Sequence, residues 1–172
     1  MKHTLFATLA LLAALPAGAD TLPLGLTYHE FKSTAQMKIG LQTMQVELVN
    51  PADKYAGTKL LLDGKELART DGDMMKLEYQ FELPTSEVVL VSEYSGGNAC
   101  PANYRLVQIH KTGRVATTKV FGNCSDVPSV RVEGERITMT LPAEEGKRIV
   151  EEKWVFENGV LTEPRKRAVR PK

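Results

Sequence analysis

The sequence predicts an all-β protein, an antiparallel β-sandwich or barrel of about 8–10 strands with one disulfide. Three observations carry that reading. Apolar residues recur at period two rather than 3.6 through most of the chain. Asp63-Gly64 and Asn158-Gly159 each sit between apolar arms, and such dipeptides supply the positive φ angles of a type I′ hairpin. Turn signals recur at strand-like intervals without a fixed period, which favours a meander over a propeller or solenoid.

From the N-terminus, residues 1–19 read as a secretory signal peptide, with Lys2 and His3 ahead of an apolar run from Leu5 to Leu15 and an A-x-A site at Ala17-Gly18-Ala19. The apolar run is about half the roughly 20 residues that cross a bilayer. The mature chain is therefore expected to begin at Asp20 and to work in the periplasm or outside the cell. Residues 20–162 are expected to form a single β domain, and residues 163–172 a basic, disordered tail broken by Pro164 and Pro171.

Within the domain, residues 37–49 are rich in β formers and end at Asn50-Pro51. Residues 59–67 form a hairpin about Asp63-Gly64. In residues 75–83, Leu77, Tyr79, Phe81 and Leu83 alternate with polar partners, as on a half-exposed strand. The valine-rich run 87–94 reads as buried on both faces. Residues 103–110 turn at Thr112-Gly113 and return over 115–121, a pair enclosed by the two cysteines. Strands over 127–132 and 137–141 flank Glu133-Gly134-Glu135, with Ile137, Met139 and Leu141 on one side. The last hairpin turns at Asn158-Gly159, and its Trp154 and Phe156 are candidate core anchors beside Tyr79 and Tyr104. Residues 143–152 are compatible with a short helical turn after Pro142 or with a charged loop.

Composition sets aside several function classes. The mature chain has 21 basic and 21 acidic residues, a balance that argues against a nucleic-acid binder. The charge is unevenly placed: residues 163–172 hold Arg165, Lys166, Arg167, Arg170 and Lys172, which leaves 20–162 with four more acids than bases. Such a tail can touch anionic envelope polymers or headgroups, or simply solubilise the chain end. Cys100 and Cys124 both lie in the exported part, where thiols are normally oxidised, and two cysteines allow one connectivity. The loop they close is worth roughly 3 kcal/mol in the chain-entropy account.

Enzyme signatures are weak. His29 and His110 belong to no metal-ligand spacing, so no metal is expected and no cofactor is implied. Ser95 and Ser125 lack a nucleophile elbow, and Ser125-Asp126 reads as a turn. Gly96-Gly97 leads into Cys100-Pro101 rather than into a helix, which excludes a phosphate loop. Paired carboxylates for glycan hydrolysis remain open, since two such acids can come from anywhere in a chain.

The densest pattern lies in residues 94–126, where two Gly-bearing turns each end at a cysteine. Ser95, Gly96, Gly97 and Asn98, with Tyr104 nearby, are the candidate binding residues, framed by Cys100 and Cys124. A loop pinned by a disulfide presents backbone N–H groups at low entropic cost. The same residues also suit a crossover between sheets with no partner. Gly96-Gly97-Asn98-Ala99-Cys100-Pro101 and Phe121-Gly122-Asn123-Cys124-Ser125-Asp126, with the last hairpin, resemble a group of small exported bacterial proteins of unassigned activity. Ser95-Gly96 in a loop, the leader, the size and the β content also resemble the periplasmic lysozyme inhibitors. This chain has Gly97-Asn98 where those inhibitors carry an aromatic. The second resemblance implies a β-sandwich whose loop enters a lysozyme cleft, with the Ser95 hydroxyl bonding the catalytic carboxylates.

The function expected from the sequence is non-catalytic: an exported binding protein whose partner is a protein, in the sharpest form a lysozyme-like muramidase. An envelope assembly factor docking through its basic tail and a small envelope glycan hydrolase are the alternatives.

Overall fold

A computed structural model of the protein describes residues 28–30, 36–94 and 99–164. Fourteen strands lie among them, all paired antiparallel. After β1 (Tyr28–Glu30) comes a meander of β2 (Gln36–Ile39), β3 (Gln42–Asn50), β4 (Asp53–Leu62) and β5 (Lys65–Arg69). Next come β6 (Met74–Glu82), β7 (Ser86–Tyr94), β8 (Ala102–His110), β9 (Val115–Thr117) and β10 (Phe121–Cys124). These join β1 in a six-stranded sheet ordered β1-β6-β7-β8, with β9 and β10 both on the far edge of β8. A second meander, β11 (Ser129–Glu133), β12 (Arg136–Glu145), β13 (Arg148–Glu157) and β14 (Val160–Thr162), forms the third sheet.

The six-stranded sheet is the middle layer, because its two faces feed two different cores. Val89, Val91, Val107 and Ile109 pack with Met44 and Leu60 of the first meander. Val88, Leu90, Tyr104 and Leu106 pack with Trp154 and Phe156 of the third sheet. The valine-rich run is therefore a central strand, and Val88, Val89, Leu90 and Val91 are all fully buried. Side chains alternate faces along a strand, so a continuous apolar run is what two covered faces require. Each such side chain contributes roughly 1.5–3 kcal/mol of burial.

The expected hairpins form. Asp63 and Gly64 have φ of 49° and 78°, and Asn158 and Gly159 have 52° and 79°, the pair of left-handed residues a type I′ turn demands. Ile137, Met139 and Leu141 share the buried face of β12. Three expectations change. Residues 143–152 are neither helix nor loop: β12 and β13 continue as a ribbon to Glu145↔Arg148, turning at Gly146 with φ 65°. Residues 115–121 are two short strands rather than one, because the Thr118 hydroxyl takes the Leu106 N–H at 3.0 Å and interrupts the ladder.

The third change positions the site. Leu77 pairs with Val91 but Tyr79 pairs with Leu90, so Glu78 is an extra residue, a β-bulge in β6. Its effect is to reverse the face on which the later residues of the strand lie. Leu77 packs in the first core, whereas Phe81 packs in the second, so the alternation expected across Leu77 to Leu83 does not hold through the bulge. Residues 1–19, expected to be a signal peptide, and the expected tail from Arg165 onward lie outside the described residues.

Candidate functional site

Cys100 and Cys124 are joined, with Cα atoms 4.5 Å apart. The bond locks the start of β8 to the end of β10, beside the pair Ala102↔Cys124. β10 is irregular there: two residues separate Phe121 from Cys124 while one separates Tyr104 from Ala102. Gly122, at φ 130°, is the residue that permits this. A Cβ on it would meet Asn103 Oδ1 at 3.2 Å and the Tyr104 ring at 3.4 Å.

Next to the bond, a cleft of about 250 Å³ opens at the end of the second core. Its lining comes from three directions. The bulged part of β6 supplies Lys76, Glu78 and Tyr79, β7 supplies Ser92 and Tyr94, and the two ends joined by the disulfide supply Pro101, Tyr104 and Asp126. Tyr104 forms the floor, only 2% exposed, and its hydroxyl donates to the Ser125 carbonyl at 2.9 Å. Its ring continues into the core through a tilted contact with Phe121, at 6.3 Å between centroids, and from there to Trp154.

The electrostatics of the cleft are negative. Burial pushes the Tyr104 phenol above its ordinary range, and the nearby Glu78 and Asp126 charges push it the same way. Glu78 accepts a hydrogen bond from the Ser92 hydroxyl. The ion pairs among the described residues involve neither Glu78 nor Asp126. Lys76 is the one cation in the described lining, and its ammonium sits 4.6 Å above the Tyr94 ring centroid.

Of the residues expected from sequence, Cys100, Cys124 and Tyr104 come together at this cleft. Ser95, Gly96, Gly97 and Asn98 lie outside the described residues; their chain neighbour Tyr94 lines the cleft. Ser125 does form a turn, accepting the Val127 N–H on its hydroxyl at 3.4 Å. Sequence reasoning missed Lys76, Glu78 and Ser92. The alternating pattern of β6 presents Glu78 as a solvent-side residue, whereas it lines the cleft with Lys76, at the point where the strand bulges. His110 lies elsewhere, within 3.0 Å of Arg114 Nη2, and no group of metal-ligating side chains occurs among the described residues.

Comparison with known sequences adds a family. The sequence model described as the Y4bG N-terminal domain matches residues 44–166. The chain belongs to the Y4bG N-terminal domain family. The matched span contains both cysteines and the whole cleft, whereas β1 and β2 precede it. No curated protein and no solved structure matches the chain.

Proposed function

We propose that this Y4bG-domain protein is an exported, non-catalytic binding protein of the cell envelope. It holds a basic protein partner at the end of the sandwich closed by Cys100–Cys124, and a lysozyme-like muramidase is the partner that best fits that reading. The observation that supports it is the negative, tyrosine-lined cleft next to the Cys100–Cys124 bond, lined by Tyr94, the residue that precedes Ser95 in the chain. The acid excess of residues 20–162 acts in the same direction, since complementary charge steers association and selects partners.

The test is capture from envelope extract and host secretions by oxidised and by reduced protein, followed by assay of any captured muramidase for inhibition. The reading expects one basic protein, captured only in the oxidised state, whose activity falls on binding. Ser95→Asp is expected to abolish that capture by setting a carboxylate against the partner's catalytic carboxylates. Redox-independent recovery of lipid or outer-membrane material through residues 165–172 would instead favour an assembly role, and turnover of glycan by the protein itself would favour a hydrolase.

A further inference from the structure

We propose that the Tyr104 cleft is a subsite for one protonated side chain, an arginine or lysine inserted by the basic partner; this rests on the binding role just proposed and names what the site accepts.

Four features of the cleft lead there. Glu78 is the extra residue of the β6 bulge and lines the cleft two positions on from Lys76, a carboxylate standing where the strand gives up a ladder position. Asp126, just past Cys124 on the irregular end of β10, brings a second carboxylate to the same cavity. Neither acid is neutralised by an ion pair among the described residues, although ion pairs occur elsewhere on the protein, including the well-buried Glu93–Arg105 pair at 2.8 Å on the other face of the middle sheet. The walls are aromatic: Tyr79 and Tyr94, both half-buried above the Tyr104 floor, present ring surface, which attracts a cation and binds the apolar stem of a long basic side chain.

The protein already shows that the cleft receives such a group. Lys76 lays its ammonium over Tyr94, at 4.6 Å from the centroid, rather than on an acid. One ammonium against two carboxylates leaves the described lining with a negative balance. An incoming guanidinium would pair with Glu78 and Asp126 across the tyrosines, a charge-assisted contact that a neutral amide of the same shape lacks. Lys76 is then a competitor for the site, which gives the proposal a signature that a purely structural cleft would not produce.

The experiment titrates N-acetyl-arginine methylamide and its neutral near-isostere N-acetyl-citrulline methylamide into the oxidised protein, followed by amide chemical shifts. The arginine probe is expected to bind saturably at the cleft, about tenfold or more tighter than citrulline. That comparison is made on the unmodified protein and does not depend on a variant folding. Glu78→Gln with Asp126→Asn, both isosteric, is expected to bring the two probes within about twofold of each other, and Lys76→Met to tighten the arginine probe several-fold. Equal binding of the two probes, or an arginine preference that survives in the double variant, overturns the proposal. The two readings fail separately. If the double variant still captures the envelope partner as wild type does, the subsite is wrong and the binding role stands. If the arginine probe behaves as expected but no protein is captured, the subsite stands and the partner reading falls.

Discussion

Gly57 backs directly onto the carbonyl of Thr70: a Cβ at position 57 would stand 2.5 Å from that oxygen and 2.8 Å from the Gly72 nitrogen. The approach is fixed by a buried knot between β4 and the entry to β6. Thr58 N–H donates to the Thr70 hydroxyl at 2.8 Å, Thr70 N–H donates to the Thr58 carbonyl at 2.8 Å, and Met75 N–H donates to the Thr58 hydroxyl at 2.9 Å. The knot couples the first meander to the middle sheet. Gly57→Ala meets backbone on two sides at φ 88° and is expected to destabilise by about 2–4 kcal/mol. Gly64→Ala has a similar φ of 78° but open space around it, so it should cost only about 1 kcal/mol. Urea unfolding of the two variants separates contact from strain; equal losses would show that position 57 is not held tightly.

Gln108 is a polar side chain inside the second core, 2% exposed. Its amide donates to the Ser86 hydroxyl at 2.9 Å, while its Oε1 is buried with no hydrogen-bond partner among the described residues. Gly159 in the last hairpin turns next to that oxygen, at 3.3 Å from where its Cβ would be. Removing one partner leaves the other unpaired, so Ser86→Ala alone is expected to destabilise by about 1–3 kcal/mol. Gln108→Met with Ser86→Ala removes donor and acceptor together, and should fall within about 1 kcal/mol of wild type or above it. A double variant worse than the single would mean that the pair contributes more than its own hydrogen bond.

The layers were legible in the sequence because they arise from periodicity. The unbroken apolar run of β7 announces a strand covered on both faces, and the Asp63-Gly64 and Asn158-Gly159 turns announce their hairpins. What escaped is what depends on a break in the pattern. Glu78 looks like one more polar residue between Leu77 and Tyr79, and nothing local says that the ladder slips there. Residues 143–152 have few β-branched side chains, so their strand character comes from cross-strand pairing rather than propensity. Tyr104 and Asp126 are 22 positions apart and meet because Cys100 finds Cys124. Cysteine count gave the bond, but the cavity beside it depends on three-dimensional closure.

The disulfide should matter locally more than globally. β10 pairs with β8 only at Phe121↔Tyr104 and Cys124↔Ala102, so the bond supplies much of what holds this edge. Cys100→Ala with Cys124→Ala is expected to cost roughly 3 kcal/mol in all. Amide exchange should locate the loss: protection at Phe121 and around residues 122–126 should fall well before protection of β7, and the Tyr104 cleft should lose its arginine preference. Uniform loss of protection across all three sheets would instead make the bond a global support.

Tyr104 supplies an alkaline prediction. Burial raises its phenol above the ordinary value, with Glu78, Asp126 and Tyr79 acting in the same direction. In the unfolded chain the phenol ionises near its usual pKa of about 10, whereas the folded protein still holds the proton. Above that pH the native state binds more protons than the unfolded state, so stability falls as pH rises; below it the contribution is fully present. Tyr104→Phe removes the titrating group and with it the hydroxyl donated to Ser125. At neutral pH the variant is expected to be about 1 kcal/mol less stable than wild type. Between about pH 10 and 11 its stability should decline less steeply, so that the two curves approach. Urea midpoints measured at intervals across this range decide it. Parallel curves would mean that Tyr104 ionises in the folded protein as freely as in the unfolded one.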